Sequence, residues 1–337
     1  MKAKFVLSRS KVLEQLKNLE EISDLVSYSF KTNYEVGKVL EENSNCMFSV
    51  HSIEALKKLN DKKRAIFFLQ AQSKEEIKEI LDLKVKSFVV DNEKDLNNLL
   101  EMADKINLFL RMKLKENTIH TGKHFVFGFR SSKVNELVKE LRTNEKIEKL
   151  GVHFHRKTQN VSEWGLKDEL DVSLDNETLE KLDLINIGGG IPYIYKNYSE
   201  QVLKSVFDKL KDFKNYLNSK NIQVIVEPGR YIAAPSVKLI TEIKNIYDNN
   251  IIVNCSIYNS AMDTFIAHIR LLVENELEKG NPYVIKGCTP DSLDIFRYRV
   301  YLDNPKIGDK VIFLNAGAYN FNCDFCQLPK LQTEVIE

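Results

Sequence analysis

The sequence lacks several features that mark whole classes of protein. It has no apolar run long enough to span a bilayer, which takes about 20 residues. Its 337 residues include only 7 prolines and 13 glycines, and no low-complexity linker or fixed-period repeat interrupts them. Positive and negative side chains nearly cancel, leaving a net charge of +1. Such a balance gives no electrostatic reason to expect a nucleic-acid or membrane partner.

Cysteine is also scarce and odd in number. Five cysteines in a chain of this size favour a reducing compartment over a disulfide framework. The opening residues, MKAKFVLSRSKVLEQL, have neither the apolar segment nor the cleavage site of a signal peptide. We therefore expect a cytoplasmic protein. Cys323 and Cys326 form a single C-x-x-C pair, which is half of a metal site, so we expect no bound metal.

Short apolar strands alternate with amphipathic helical patterns over the first two thirds of the chain. Eight strands are predicted, at DLVSYSF, CMFSV, AIFFLQ, SFVV, NLFLRM, LGVHFH, LINIGGG and IQVIVEPG. Five of the intervening stretches have a helical period, namely TNYEVGKVLEEN, SKEEIKEILDL, NEKDLNNLLEMA, SKVNELVKELRTN and SEQVLKSVFDKLKDFKNYLNSK. This α/β pattern is typical of a (β/α)8 TIM-type barrel, which we assign to residues 8–235.

From residue 236 onward the pattern changes to strands separated by short breaks. The predicted strands are SVKLITEIKNIY, IIVNCSIY, NPYVIKG, FRYRVYL and GDKVIFLNAGAY. They predict a C-terminal all-β domain over residues 236–337. A further strand within residues 1–7 precedes the barrel and is compatible with either domain.

The unusual residues of the barrel fall at the carboxyl ends of its strands, where such barrels carry their chemistry. They are Lys31, His155, the glycines at 188–190 and the segment 227–230. The sequence allows two interpretations of Lys31. It is either a lysine reaching into solvent from a strand end or an amine in a poorly hydrated pocket, where the neutral form is a nucleophile.

Each of the other motifs also has more than one interpretation. NIGGGIP is either an ordinary turn or a loop whose backbone approaches a phosphate. In IVEPGRY, Glu227 is a candidate general base, metal ligand or partner of a protonated ring nitrogen, and Gly229 and Arg230 are candidate phosphate contacts. His153 and His155 have the spacing that puts both on one side of a strand. They fit a zinc site or a histidine stacked on a flat cofactor.

Taken in order, YSFKTNY, HFHRKTQ, NIGGGIP, EPGRY, DSLD and NAGAY resemble the motifs of one family. The resemblance is to the fold-type III decarboxylases that use pyridoxal 5'-phosphate (PLP), and it covers nearly the whole chain. This family includes ornithine, diaminopimelate, arginine and carboxynorspermidine decarboxylases, and its barrel is like that of alanine racemase. It implies PLP as the cofactor and a homodimer with its active sites at the interface.

The resemblance also implies roles for individual residues. Lys31 corresponds to the lysine that holds PLP through a Schiff base, and His155 to the histidine on the face of the pyridine ring. Glu227 corresponds to the carboxylate that keeps the ring nitrogen protonated, and Arg111 to an arginine beside the cofactor. The positions around the phosphate are Thr158, Gly188, Gly189, Gly190, Gly229, Arg230 and Tyr319.

The segment GCTPDSLD, residues 287–294, departs from the family pattern. In the family a cysteine here, contributed by the partner subunit, supplies a proton to the product. Pro290 occupies its position, and Cys288 lies two residues earlier. Cys288 is therefore either a substitute proton donor or a small buried residue. The departure bears on which product is released more than on cofactor binding.

The predicted substrate pocket departs from the family as well. Asp291 corresponds to an acid that contacts the distal ammonium of ornithine or lysine. Cys255 stands where ornithine-type enzymes place a second acid, and Asp263 is near enough in sequence to supply that charge. Ser49 replaces another acid after the second barrel strand. We predict Cys255, Asp263 and Asp291 as substrate-binding residues.

The predicted function is PLP-dependent decarboxylation of a basic or diamino acid. A racemase of the same fold is one alternative, although its lysine motif usually continues as alanine-tyrosine-glycine and this one does not. An altered homologue with a regulatory role is another. Loss of Lys31 or Glu227 would be expected in such a protein, and both are present.

Overall fold

The computed structural model of the chain describes residues 1–114, 127–198 and 200–337. Eight parallel strands close into a barrel, each hydrogen-bonded to the next and the last to the first. An initial strand, β1, covers Lys4–Ser8. The barrel strands are β2 Leu25–Ser29, β3 Met47–Val50, β4 Ala65–Leu69, β5 Ser87–Val90, β6 Ile106–Arg111, β7 Ile147–His153, β8 Leu184–Asn186 and β9 Gln223–Val226. All eight predicted barrel strands and the barrel itself are confirmed.

A second, mostly antiparallel sheet follows the barrel, which confirms the predicted all-β unit. Its strands are β10 Val237–Tyr247, β11 Asn250–Val253, β12 Leu272–Val273, β13 Pro282–Lys286, β14 Ile295–Tyr301, β15 Lys310–Leu314 and β16 Gln332–Ile336. The helices are α1 Arg9–Asn18, α2 Tyr34–Asn43, α3 Ile53–Lys57, α4 Lys74–Asp82, α5 Glu93–Met102, α6 Ser131–Leu141, α7 Leu166–Ser173, α8 Asn176–Glu180, α9 Glu200–Asn218, α10 Arg230–Ser236, α11 Ile257–Ser260 and α12 Asp263–Ile266.

The barrel is closed and filled with apolar side chains. Strand β4 is buried along its whole length, as expected of a parallel strand covered on both faces. Six side chains form a separate cluster in the barrel interior: Ile66, Phe68, Val89, Phe109, Leu184 and Ile225. A packed interior leaves only the ends of the barrel for a binding site.

Side-chain caps fix where the helices begin. Asn33 accepts hydrogen bonds from the backbone N–H groups of Glu35 and Val36 at the start of α2, directly after Lys31. Ser73 and Glu76 form a capping box at the start of α4. The cap on α2 sets the exit direction of the chain from β2 and with it the position of Lys31.

Strand β1 lies in the second sheet, where it pairs antiparallel with β10 and parallel with β16. Helix α10 ends at Ser236, and β10 starts at the next residue. One buried apolar cluster runs through both units. The division into residues 8–235 and 236–337 therefore stays a prediction, since packing continues across the junction.

One element differs from its prediction. The sequence IIVNCSIY was expected to be strand throughout, but β11 ends at Val253 and α11 begins at Ile257. Ser256 and Asn259 form a capping box that starts this short helix. Within the described residues, no helix is both long and apolar enough to cross a membrane.

Candidate active site

A cavity of about 240 Å³ lies at the carboxyl ends of the barrel strands. It brings together side chains and glycines from the ends of β2, β3, β4, β6, β7, β8 and β9, together with one residue of the second sheet unit. Ten of the residues predicted from the sequence line it: Lys31, Arg111, His155, Thr158, Gly189, Gly190, Glu227, Gly229, Arg230 and Tyr319.

Glu227 is a buried carboxylate held by several donors. Its Oε1 accepts hydrogen bonds from Ser49 Oγ at 2.7 Å and Asn186 Nδ2 at 3.0 Å. Its Oε2 lies 3.3 Å from His153 Nε2. Burial alone would raise the pKa of Glu227, but His153, Ser49 and Asn186 outweigh burial and lower the pKa to about 2. The group is therefore an anion at neutral pH. Its Oε2 accepts from His153 alone among the described residues, so it has room for another donor.

Ser49 is itself oriented by a neighbour. Its Oγ lies 2.8 Å from Ser27 Oγ. Because the hydrogen of Ser49 is directed at Glu227, the hydrogen between the two serines comes from Ser27. A chain of hydroxyl donors thus runs from β2 through β3 to the carboxylate, entirely inside the barrel mouth.

The two histidines of the HFH motif are both neutral. Burial lowers the pKa of His153, and its Nε2 is directed at Glu227, so that nitrogen carries the hydrogen. The Nδ1 of His155 accepts a hydrogen bond from the N–H of Gly189 at 3.1 Å. Burial lowers the pKa of His155 to about 3. A proton on His155 Nδ1 would point at the N–H of Gly189, so two donors would face each other. This contact therefore also favours the neutral imidazole and a lowered pKa.

His51 adds a third imidazole, which sequence analysis missed. It lies parallel to Phe68, with ring centroids 4.5 Å apart and an interplanar angle of 13°. Phe68 in turn contacts His153 edge to face at 5.1 Å. Burial and the charge of Lys31 lower the pKa of His51 to about 4. These three rings form one uncharged wall of the cavity at neutral pH.

Lys31 lies in a 3₁₀ turn over residues 30–32 that follows β2. The turn is tied to the second sheet unit, because the N–H of Tyr319 donates to the carbonyl of Thr32 at 3.1 Å. Burial and Arg111 lower the pKa of Lys31, although Glu227 acts in the opposite direction. The neutral, nucleophilic amine is therefore more accessible than in a solvated lysine.

Arg230 is held on several sides. One terminal nitrogen donates to Tyr195 Oη at 3.0 Å, the other to Thr158 Oγ1 at 3.4 Å, and both donate to the carboxylate of Asp263. The rings of Tyr195 and Tyr319 flank the guanidinium at 5.6 and 5.3 Å. Asp263, predicted to bind substrate, is thus paired with Arg230 and does not line the cavity.

Glycine is required where the loops approach the cavity. Gly190 has φ +94°, and a Cβ there would lie 2.7 Å from the carbonyl of Lys157. A Cβ on Gly229 would overlap the hydroxyl of Thr32. Gly188 stands beside them at φ +67° but does not line the cavity. The loops therefore bring bare backbone, with its N–H dipoles, next to Arg230.

Three other predicted residues lie elsewhere on the same chain. Asp291 is partly exposed and accepts a hydrogen bond from Tyr258 Oη at 2.7 Å. Cys288 is exposed rather than buried, so its interpretation as a small buried residue is wrong. Its N–H donates to the carbonyl of Cys255 at 3.0 Å. Cys255 is buried, which raises the pKa of its thiol. None of the three lines the cavity.

Sequence analysis also missed several residues that build the cavity. His51, Phe68, Gln70 and Phe127 line it, while Asn186 orients Glu227 from behind. His51 and Gln70 directly follow β3 and β4, and Phe68 and Asn186 are near or at the last positions of β4 and β8. Their common signal is position. A search of every predicted strand end, rather than only those with unusual residues, would have found these four but not Phe127.

The chain matches a family profile described as "Pyridoxal-dependent decarboxylase, pyridoxal binding domain" over residues 10–234. It is 25% identical to a diaminopimelate decarboxylase of Helicobacter pylori over 325 residues, covering 88% of this chain and 79% of that one. It is 24% identical to a probable ornithine decarboxylase of Dictyostelium discoideum, covering 93% of this chain and 75% of that one.

Two solved structures show the same fold at low sequence identity. One is the lysine/ornithine decarboxylase of Vibrio vulnificus in complex with cadaverine, with a TM-score of 0.82, 19% identity and coverage of 99% of this chain and 94% of that one. The other is the arginine decarboxylase of Paramecium bursaria Chlorella virus, with a TM-score of 0.78, 21% identity and coverage of 100% and 97%. The chain therefore belongs to the pyridoxal-dependent decarboxylases: it is an amino-acid decarboxylase, and pyridoxal phosphate is its cofactor.

Proposed function

We propose that this enzyme removes the α-carboxylate of a basic or diamino acid, with Lys31 as the residue that binds PLP covalently. The observation that carries the proposal is that Lys31 and Glu227 face one cavity, beside the glycine loops and Arg230. The names of the relatives, diaminopimelate and ornithine decarboxylases, support a substrate with a second amino group.

The residues present fit PLP. The glycine loops leave no room for Cβ atoms, and the buried Nε of Arg230 has no partner among the described residues. We assign the phosphate to these loops, Arg230, Thr158 and Tyr319, and the ring face to His155. Bound PLP supplies an electron-poor ring that accepts the electron pair left when CO2 departs.

The chain's own groups then prepare the site for that chemistry. Glu227 stays ionised, so it would keep a ring nitrogen of the bound cofactor protonated. Lys31, with its lowered pKa, provides a neutral amine to the cofactor. The neutral rings of His51, Phe68 and His153 limit water without adding positive charge beside the anionic Glu227.

The proposal is tested by CO2 release from the PLP-loaded enzyme with ornithine, lysine, arginine, meso-diaminopimelate, carboxynorspermidine and neutral amino acids. We expect CO2 from one basic or diamino substrate and none from Lys31→Ala. The product is then identified: an amine shows that another acid protonates it despite Pro290, and an aldehyde shows that none does. A racemised substrate without CO2 would favour the racemase alternative. Protein that does not bind PLP would contradict the assignment of Lys31.

We also propose a homodimer in which Asp291 and Cys288 serve the active site of the other copy. The support is that Cys288 is exposed and Asp291 partly exposed on the second sheet unit, and that neither lines the cavity of its own chain. A distal ammonium of the substrate would then meet Asp291 across the interface.

A further inference from the structure

The buried ion pair between Arg230 and Asp263 connects the two halves of the protein beside the cofactor cavity. Arg230 is the first residue of α10, and Asp263 is the first residue of α12, 33 residues further on. Both side chains are buried, with 3% and 7% of their surfaces exposed. Two terminal nitrogens donate to the two carboxylate oxygens. This fork-to-fork geometry is the most directional that an arginine makes.

The pair and its neighbours leave one donor of Arg230 unused. A guanidinium has five N–H donors. The terminal nitrogens are engaged by Asp263, Tyr195 and Thr158. The Nε is buried and has no partner among the described residues. Because Thr158 Oγ1 accepts from Arg230, its own hydrogen remains available. Arg230 and Thr158 line the cavity, whereas Asp263 does not.

The pair also lowers the net positive charge that Arg230 presents to an anion in the cavity. An arginine alone would present a full positive charge, and a carboxylate in contact with it cancels that charge at a distance. An anionic group in the cavity is then bound by directed donors, the Nε–H and the hydroxyl, and by the glycine backbone. The orientation of Arg230 matters more in such a site than its net charge.

We infer that Asp263 is a positioning residue for the cofactor phosphate. It fixes and neutralises Arg230 so that its Nε–H and the hydroxyl of Thr158 are directed at the phosphate, and it makes no contact with the amino-acid substrate. This inference rests on the proposed function, since it assumes that the phosphate of PLP is bound beside Arg230.

The test is a PLP titration of the full-length, cofactor-free chain, followed by absorbance, for wild type and Asp263→Asn. The substitution keeps the size of the side chain but removes the charge and one acceptor. We expect the Kd for PLP to rise about tenfold. At saturating PLP, the KM for the amino acid is expected to stay within about twofold of wild type. Inorganic phosphate should compete with PLP less effectively in the variant than in wild type.

A matched control is Glu276→Gln, which alters another buried arginine–carboxylate pair, here with one arginine nitrogen donating to both oxygens. Glu276 accepts from Arg297 at 2.9 and 3.1 Å and does not line the cavity. We expect no change in its Kd for PLP. A double variant, Arg230→Gln with Asp263→Asn, should bind PLP no more weakly than Arg230→Gln alone, because Asp263 acts only through Arg230.

The outcomes separate this inference from the proposed function. Wild-type protein that does not bind PLP contradicts the proposed function itself. Wild-type binding with an unchanged or tighter Kd in Asp263→Asn overturns the inference alone, and a raised substrate KM with an unchanged Kd restores Asp263 as a substrate contact. If far-UV circular dichroism shows that Asp263→Asn does not fold, the same titration is carried out on Asp263→Glu, which keeps the charge and displaces the guanidinium. Weaker PLP binding by Asp263→Glu supports the inference, and unchanged binding overturns it.

Discussion

At the scale of single residues, Glu227 depends on neighbours that carry no charge of their own. Ser49 and Asn186 both donate to Oε1, and neither is ionisable. In a buried site, such donors decide whether a carboxylate stays an anion, because water is not there to stabilise it. The acid that the resemblance leads one to expect at position 49 would place a second negative charge beside Glu227. A serine there supplies a proton to the hydrogen bond instead.

Ser49→Ala is therefore expected to lower kcat about tenfold, the effect of one lost hydrogen bond to a charged group. It removes one of the causes that hold the pKa of Glu227 down, so this pKa rises. Because the carboxylate is ionised above its pKa, the acid-side loss of activity should begin at higher pH than in wild type. The measurement is a pH profile of kcat. Ser27→Ala, one hydroxyl further from the carboxylate, is the control and should have the smaller effect. Equal profiles for all three proteins would contradict the role of Ser49.

The residue scale also shows where sequence analysis succeeds and fails. Lys31, His155 and Glu227 were found because a charged or polar residue at the end of an apolar strand is unusual. Asn186 is a polar residue of a kind common at strand ends, so nothing distinguished it, and Ser49 was noted only as the replacement of an expected acid. Asp263 was expected near the substrate, and its pairing with Arg230 is a contact between residues 33 apart that no local pattern encodes.

At the scale of elements, the position of Tyr319 depends on how closely two segments pass. Gly317, three residues after β15, lies against the end of α10, where a Cβ would overlap the carbonyl of Ala233. Its carbonyl accepts a hydrogen bond from Asn33 Nδ2 at 2.8 Å. Asn33 also caps α2. The second sheet unit thus reaches the turn of Lys31 through a contact that only glycine permits.

Gly317→Ala is expected to destabilise the protein by about 3 kcal/mol, because overlap with backbone forces the segment to shift. The shift displaces Tyr319, so PLP binding should weaken as well. Urea unfolding and a PLP titration measure the two effects. Gly308→Ala is the control: Gly308 has φ +93° but open space around its Cβ position. It should cost only about 1 kcal/mol, from backbone strain, and leave the Kd for PLP unchanged. Equal effects at both glycines would contradict the close-contact argument.

The elements themselves were largely predictable, and the exceptions have local causes. The period of apolar residues identified all eight barrel strands. It failed at residues 254–258, where β-branched and aromatic residues favour a strand but Ser256 and Asn259 cap a helix. The pairing of β1 with β10 and β16 could not be predicted, because strand pairing at such separation depends on the folded arrangement of the whole chain.

At the scale of the whole molecule, the second sheet unit presents residues that we propose to be functional but that lie outside the cavity of their own chain. Cys288 and Leu293 are exposed there, Leu293 with 59% of its surface accessible, and Asp291 is partly exposed. The proposed homodimer gives these residues a partner. In this homodimer, residues of both chains would form each active site.

Mixing two inactive variants tests that arrangement. Lys31→Ala lacks the cofactor lysine, and Asp291→Ala lacks the proposed substrate contact, so each is expected to be nearly inactive alone. After unfolding and refolding together, random pairing gives mixed dimers with one site that is intact in both residues. We expect about one quarter of wild-type activity. Refolding each variant separately before mixing is the control and should restore none. Mixed dimers that stay inactive would show that Asp291 does not act across an interface.

The pairing of β1 also bears on biosynthesis. Strand β1 ends at Ser8, and its first partner, β10, begins only at Val237. At typical synthesis rates, roughly 10 to 50 s separate the emergence of the two strands from the ribosome. Its other partner, β16, is translated later still. Throughout that interval β1 is a nascent strand with unpaired edges, open to binding by chaperones, while the barrel strands that follow it have already begun to meet their neighbours.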